Sequence, residues 1–215
     1  MYLEFEYNMF MRTNYNTLKM SVYIVLFLLF LIGCNKNDPF KEGVKSYRNG
    51  KYNKAIKLLN KELIKHPNNK NAYYERGNSK AALGNYEEAI KDITEAIKLD
   101  SHPAFLSNRS VMHLKIGNYR DALYDATQAI FKNDTFANAY NNRAGAYYKL
   151  ERLDSAILDY TKAISLEPKN PNTYFNRAKV YQEKGQIEMA CSDWEVVHDM
   201  GYRSQSISFI KSYCR

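Results

Sequence analysis

Two stretches of the chain, Ala139-Tyr-Asn-Asn-Arg-Ala-Gly145 and Glu151-Arg-Leu-Asp-Ser-Ala-Ile157, recur at a fixed interval and decide the fold. The first stretch returns around an arginine, and the copies lie 33 or 34 residues apart, at Arg76, Arg109, Arg143 and Arg177. The second returns around an alanine with the same interval, at Ala55, Ala89, Ala122, Ala156 and Ala190. A period of this length is typical of stacked repeat proteins. Since the chain has only 9 Gly and 5 Pro and many Ala, Leu, Lys and Glu, we predict an all-α protein.

The period and its small residues resemble the tetratricopeptide repeat. That family has a small residue at position 8 and alanine at position 20 of each unit. Position 20 is the alanine series above, and position 8 is Gly43, Gly77, Ser110, Ala144 and Ala178. The resemblance implies a right-handed α-solenoid of five helix-turn-helix units, in which the small residues lie where helix A and helix B cross. The units are expected at about residues 36–69, 70–102, 103–136, 137–170 and 171–203, so that the repeats together fill residues 39–203.

The first 33 residues are predicted to be a signal peptide and not part of the fold. Residues 22–32 form an uncharged apolar run of 11 residues, whereas a helix that spans a bilayer needs about 20. Arg12 and Lys19 supply the positive flank before it. The acidic residues before Met9 fit a signal peptide poorly, so Met9 or Met11 is an alternative start.

Directly after the apolar run, Leu31-Ile-Gly-Cys34 resembles the lipobox of bacterial lipoproteins. The resemblance implies that the Cys34 thiol accepts a lipid and that residues 34–38 form a short tether. The chain would then be anchored in the cell envelope, facing the periplasm or the exterior. The alternative is an ordinary secretory signal that ends near a cysteine.

A basic residue and an acidic residue also recur together, at two fixed positions of the repeat. Position 7, usually apolar in the family, is arginine in units 2 to 5, and position 23 of the same units is aspartate. The first unit lacks both and has Glu42 and Leu58. We therefore predict one structural ion pair per unit, between helices A and B, rather than a catalytic carboxylate. The predicted pairs are Arg76 with Asp92, Arg109 with Asp125, Arg143 with Asp159, and Arg177 with Asp193.

The C-terminal residues 204–215 are predicted to form a capping helix that covers the end of the stack. Its apolar residues include Ile207 and Ile210. If this helix folds back, Cys191 and Cys214 meet, and they form either a disulfide or two small buried thiols.

The concave face is the predicted binding site, because the family lines that face with helix A side chains. Asparagine occupies most copies of its positions 2 and 6 and one copy of position 5, and an amide offers both a donor and an acceptor to the backbone of an extended peptide. The alternative is a solvated polar face. The predicted peptide-binding residues are Asn71, Tyr74, Asn108, Asn138, Asn141, Asn142, Asn172, Phe175 and Asn176.

The net charge of +8 is concentrated in the first unit. Residues 36–70 contain ten Lys or Arg and three acids, and five of the lysines follow its helix B, at Lys51, Lys54, Lys57, Lys61 and Lys65. This helix is predicted to lie against anionic lipid headgroups, although a lysine-rich face is also typical of a solvated surface. It lacks the interleaved aromatic residues that would stack on nucleic-acid bases, so no nucleic-acid partner is predicted.

No catalytic motif, phosphate loop or cofactor motif is present, and no enzymatic activity is predicted. The histidines His66, His102, His113 and His198 are scattered, and Cys191 and Cys214 lie too far apart for a zinc motif, so no metal site is expected. The predicted function is a membrane-tethered scaffold that binds a protein or peptide segment in the concave groove. The alternative is a structural subunit of a cell-envelope assembly that uses the convex and cap surfaces.

Overall fold

The computed structural model describes residues 38–214. The predicted signal peptide of residues 1–33, the lipidation site Cys34 and the tether up to residue 37 lie outside the described residues, and so does Arg215.

Within the described residues, all regular structure is helical and falls into five antiparallel pairs and one further helix. The pairs are α1 (Pro39–Arg48) with α2 (Tyr52–Lys65), α3 (Lys70–Ala82) with α4 (Tyr86–Leu99), α5 (Pro103–Lys115) with α6 (Tyr119–Lys132), α7 (Ala137–Lys149) with α8 (Leu153–Leu166), and α9 (Pro171–Glu183) with α10 (Ile187–Asp199), and α11 (Arg203–Tyr213) follows them. The predicted all-α solenoid of five helical hairpins with a C-terminal helix is confirmed. Helix α11 begins one residue before the predicted cap.

The turn between helices A and B needs a left-handed backbone. Gly50, Gly84, Gly117 and Gly185 occupy it with φ between 71° and 85°. In the fourth pair Glu151 takes the same place with φ of 59°, and it is the non-glycine residue with positive φ in the described chain. Glycine is favoured here because a Cβ atom is strained in this conformation.

Small residues lie where the two helices of a pair cross. Every alanine at position 20 is fully buried. A Cβ atom added to Gly77 would lie 2.8 Å from Ile93 Cγ1 and 3.1 Å from the Ala89 carbonyl oxygen. The helices therefore approach too closely for a larger side chain, as the repeat pattern predicts.

The stack curves with helices A on its inner side. Helices A of neighbouring pairs contact one another directly, for example through a hydrogen bond of 2.7 Å from Asn108 Nδ2 to the Tyr74 hydroxyl. Helices B of neighbouring pairs make no comparable contact in the described part of the chain. The surface formed by α1, α3, α5, α7 and α9 is called the inner face below, and the surface formed by the helices B is called the outer face.

Helix α11 closes the C-terminal end of the stack. Trp194 is fully buried, and its ring stacks on Phe209 with the ring centroids 5.0 Å apart. Cys191 and Cys214 form a disulfide with their Cα atoms 5.6 Å apart. Of the two alternatives for these cysteines, the structure contains the disulfide. No helix in residues 38–214 combines the length and the hydropathy needed to cross a bilayer.

Candidate functional site

Three of the predicted binding residues stand free on the inner face. Asn71, Asn138 and Asn172 are each the second residue of a helix A, and all three are exposed. Their amide groups make no side-chain hydrogen bond in the described structure. They are therefore available to an extended backbone laid along the starts of α3, α7 and α9.

Two other predicted residues are engaged inside the stack. Asn142 is buried, and its Nδ2 donates to the Ser107 carbonyl oxygen at 3.0 Å and to Ser107 Oγ at 2.9 Å. Asn108 Nδ2 donates to the Tyr74 hydroxyl and, at 3.1 Å, to Asn78 Oδ1. The sequence predicted that these amides bind a peptide, whereas in the structure they form hydrogen bonds between neighbouring helices A.

The remaining predicted residues divide between the inner face and packing contacts. Asn141 and Asn176 are half-buried, and Asn141 Oδ1 is a buried acceptor with no hydrogen-bond partner in the part of the chain that the structure describes. The Tyr74 ring packs on Phe105 with the centroids 4.6 Å apart. Phe175 makes an edge-on contact with Phe209 at 5.4 Å, so it belongs to the junction with α11 rather than to an open groove.

The first pair contributes inner-face residues that sequence reasoning left out. A shallow depression on α1 is lined by Phe40 and Val44, with basic side chains that include Arg48 at its edge. Glu75 of α3 is half-buried nearby. Burial raises the pKa of Glu75, and the charge of Arg48 acts in the opposite direction. The signal that would have found Phe40, Val44 and Arg48 is the position count used for the later units, since they hold positions 5, 9 and 13 of the first unit.

The four predicted arginine–aspartate pairs are formed, and each is bidentate. The shortest contacts are 2.6 Å for Arg76 Nη2 with Asp92 Oδ1, 2.7 Å for Arg109 Nη2 with Asp125 Oδ1, 2.6 Å for Arg143 Nε with Asp159 Oδ2, and 2.7 Å for Arg177 Nη2 with Asp193 Oδ1. The aspartates are buried. Two parallel hydrogen bonds to a buried carboxylate fix the angle between helices A and B.

In three of the pairs the arginine also reaches the preceding helix B. Its Nη1 donates to Asn60 Oδ1 at 2.7 Å for Arg76, to Thr94 Oγ1 at 2.9 Å for Arg109, and to Thr161 Oγ1 at 2.9 Å for Arg177. One guanidinium thus joins three helices of two neighbouring units. This is a structural role, because each of the three guanidinium nitrogens donates to a protein acceptor.

A further basic residue accompanies two of the aspartates. Lys80 Nζ lies 2.7 Å from Asp92 Oδ2, and His113 Nε2 lies 3.9 Å from Asp125 Oδ2. Burial lowers the pKa of His113, while the charge of Asp125 acts in the opposite direction. His113 Nδ1 is buried and has no hydrogen-bond partner among the described residues. Among residues 38–214, no group of three or more His, Cys, Asp or Glu side chains is placed to hold a metal ion.

Comparison with known protein families identifies the repeats. Residues 71–103 match the model described as "Tetratricopeptide repeat", and residues 144–185 match the model described as "TPR repeat". A stretch of 64 residues, 30% of the chain, is 34% identical to the protein SGT1 homolog of Dictyostelium discoideum. The match spans only 16% of that relative's length.

Solved structures share the architecture. MamA 41-end from Desulfovibrio magneticus RS-1 is 24% identical, with a TM-score of 0.68 over 79% of this chain and 98% of that one. TTC0263, a thermophilic TPR protein in Thermus thermophilus, is 19% identical, with a TM-score of 0.68 over 80% of this chain and 96% of that one. YrrB, described as a TPR protein with an unusual peptide-binding site, is 17% identical, with a TM-score of 0.64 over 85% of this chain and 97% of that one.

At these identities the likeness shows the fold alone. Together with the matched repeats, it agrees with the five stacked hairpins and the small residues at their crossings. Proteins built from such repeats are typically non-enzymatic scaffolds that bind protein or peptide partners. The chain carries tetratricopeptide repeats stacked as an α-solenoid, the architecture of protein-interaction scaffolds.

Proposed function

We propose that this chain is a non-enzymatic scaffold that holds an extended segment of a partner protein along its inner face. The observation that carries the proposal is the row of exposed, unengaged amides at Asn71, Asn138 and Asn172. Each lies at the same place in its unit, so donor and acceptor groups recur along the inner face, with Ala104 at the equivalent place in the third unit. A peptide backbone has donors and acceptors at regular intervals and matches such a row irrespective of its sequence.

The inner face also differs in chemistry from one end to the other. At its N-terminal end, Phe40 and Val44 give the depression an apolar lining, and Arg48 adds a positive charge. At its C-terminal end, Phe175 is occupied by Phe209 of α11. We therefore propose that the bound segment lies over α1 to α7, reaches Asn172 at the start of α9, and places an apolar side chain in the depression on α1. The peptide-binding site named for YrrB is consistent with this use of the fold.

We further propose that the scaffold is tethered to a membrane through a lipid on Cys34 and faces the periplasm or the exterior. The support is the sequence that precedes the repeats, namely the apolar run of residues 22–32 followed by Leu31-Ile-Gly-Cys34. The disulfide between Cys191 and Cys214 suits an oxidising compartment outside the cytoplasm. Metabolic labelling with a fatty acid, compared between the wild type and Cys34→Ser, tests this part. Equal labelling of the two would contradict it.

Binding of peptides to the full chain tests the groove. A library of extended peptides is screened against the wild type, and the best binder is titrated against the triple variant N71A/N138A/N172A. We expect an affinity loss of about tenfold to about two-thousandfold, since each of the three lost hydrogen bonds contributes about 0.5 to 1.5 kcal/mol. Asn108 and Asn142 are left unchanged because their substitution would disturb the stack itself.

A matched control is available on other surfaces. Asn53, Asn85 and Asn118 are also exposed, and they lie at the turns and on a helix B. The variant N53A/N85A/N118A removes the same number of amides and is expected to bind like the wild type. Equal losses in the two triple variants, or no loss in either, would contradict the groove proposal.

A second candidate is supported by the outer face. Tyr124 and Phe131 of α6 are 62% and 86% exposed, and Leu158 of α8 is 71% exposed. Exposed apolar side chains on neighbouring helices are a feature of protein contact surfaces. In this alternative, the chain is a structural subunit of an envelope assembly, and F131S would release it from that assembly while N71A/N138A/N172A would not.

A further inference from the structure

We propose that the exposed face of α2, formed by Lys54, Lys57, Lys61, Lys65 and Ile64, is a contact surface for an anionic lipid bilayer. This surface is called the lysine face below. The inference deepens the proposed membrane tether, but it does not depend on lipidation of Cys34, because the contact is made by the folded first pair.

The lysine face carries positive charge without compensation. All its lysines are exposed, and none of them forms an ion pair within the described residues. The single acid of α2, Glu62, is buried and accepts a hydrogen bond of 2.8 Å from Asn69 Nδ2. The equivalent helix α4 differs, since Glu87 and Glu88 are exposed on it. Uncompensated charge on one helix complements an anionic surface and gains binding energy as the lysines approach it.

Ile64 stands within this positive face. It is 82% exposed, and the spacing of Lys57, Lys61 and Ile64 places the three on one side of the helix. A single exposed isoleucine is common on protein surfaces. Surrounded by lysines, however, it is suited to an interface where the ammonium groups meet headgroups and the apolar side chain enters the boundary with the acyl chains.

The start of the described chain lies at the same end of the first pair as Ile64 and Lys65. A Cβ atom on Gly43 would lie 2.9 Å from Leu59 Cγ, which sets the register of the antiparallel pair α1 and α2. In this register the start of α1 at Pro39 lies beside the end of α2, where Ile64 and Lys65 are found. Cys34 precedes Asp38 by four residues, which span at most about 14 Å. A lipid on Cys34 and the lysine face would therefore reach the same bilayer surface together.

Vesicle flotation tests the proposal with the full chain carrying Cys34→Ser, so that no lipid contributes. Binding is compared between neutral phosphatidylcholine vesicles and vesicles that also contain phosphatidylglycerol. The N-terminal apolar run adds to binding in both cases, so the preference for anionic vesicles is the measured quantity. We expect K57E/K61E/K65E to reduce anionic binding roughly a hundredfold, at about 1 kcal/mol for each lysine near the surface.

The control reverses the same number of charges elsewhere. Lys91, Lys162 and Lys179 are exposed on α4, α8 and α9. The variant K91E/K162E/K179E has the same net charge as the first and is expected to keep most of the preference for anionic vesicles. Equal losses in the two variants would show a general effect of net charge and would overturn the proposal.

Insertion of Ile64 is tested by tryptophan quenching with brominated lipids. Ile64→Trp is expected to be quenched in anionic vesicles, whereas Leu158→Trp, at another largely exposed apolar position on α8, is not. The fully buried Trp194 contributes unquenched background to both. Quenching at position 158 but not at 64 would overturn the assignment of the lysine face. Loss of binding to duplex DNA in K57E/K61E/K65E, with unchanged vesicle binding, would overturn it in favour of nucleic acid.

Discussion

The first helical pair has the same helix-turn-helix arrangement as the four that follow, but its two helices are held together by different contacts. Gly43 and Gly77 occupy equivalent crossings, and a Cβ atom added to either would lie within 3 Å of a buried side chain of the partner helix. Units 2 to 5 add a bidentate arginine–aspartate pair, whereas the first unit has Glu42 and Leu58 at those positions. Close packing of small residues is thus sufficient to form the helical hairpin. The ion pair is an additional contact that the first unit does without.

The difference has a geometric reason. In units 2, 3 and 5 the arginine also donates to the helix B of the preceding unit. Among residues 38–214 no helix precedes α1, so the described chain offers no such acceptor to an arginine at that position. The arginine therefore serves to join units as well as the two helices of one unit, and the first unit lacks that task.

The largest expected effect comes from breaking a pair in a later unit. Asp159→Ala leaves the Arg143 guanidinium largely buried without its carboxylate, and we expect the free energy of unfolding to fall by about 3 to 5 kcal/mol. Urea denaturation followed by circular dichroism measures this change. Asp154→Ala is the control, because Asp154 is largely exposed and pairs with Lys184 at the surface, and its effect should stay within about 0.5 kcal/mol. Equal effects of the two substitutions would contradict a structural role of the buried arginine–aspartate pairs.

The crossing glycines provide a direct comparison of the two kinds of unit. Gly77→Ala should destabilise the protein by about 1 to 3 kcal/mol, because the new Cβ atom meets the Ala89 carbonyl oxygen as well as Ile93. Gly43→Ala should cost less, because the atoms it meets belong only to side chains, mainly Leu59. Thermal unfolding of both variants measures the order. A larger loss for Gly43→Ala would show that the first crossing is the more rigid one.

The left-handed turn between helices A and B can be tested in two ways, by introducing a glycine in the fourth unit and by removing one from the first. Glu151→Gly in the fourth unit should stabilise the protein by about 1 kcal/mol, since it relieves a left-handed backbone of its Cβ atom. Gly50→Ala in the first unit should destabilise it by a similar amount, although nothing lies within 4 Å of the added atom. Both changes are read from denaturation midpoints. A neutral result for Gly50→Ala would show that the first turn adapts its backbone.

The smallest effect concerns pH. Burial holds the pKa of His113 below its ordinary value of 6.5, so the unfolded chain takes up a proton before the folded one does. Stability should therefore fall as pH decreases through 6.5 towards the lower pKa of the folded state. His113→Gln should flatten this slope in urea titrations that compare the variant with the wild type. An unchanged slope in His113→Gln would show that another group governs this range.

The contacts that could be predicted from the sequence are those between residues of the same repeat unit. Arg143 and Asp159 are found by counting, because both positions lie in the same hairpin and their spacing recurs in every later unit. The role of Asn142 could not be found in this way. Its partner Ser107 belongs to the previous unit, and the meeting depends on how the units stack.

The C-terminal end shows the same limit. The sequence left the pairing of Cys191 and Cys214 open, because it depends on how α11 docks through Phe209 on Trp194. The same docking moves Phe175 out of the predicted groove and into the junction. Contacts between units and with the cap therefore decide which of the predicted binding residues remain free.

Photocrosslinking from the inner and outer faces in native membranes tests the proposed function most directly. A photoreactive amino acid is placed at position 138 on the inner face or at position 131 on the outer face, and crosslinked proteins are identified by mass spectrometry. Our account predicts a specific partner adduct from position 138 that disappears in the N71A/N172A background. An adduct formed from position 131 alone would contradict inner-face binding and favour the assembly subunit.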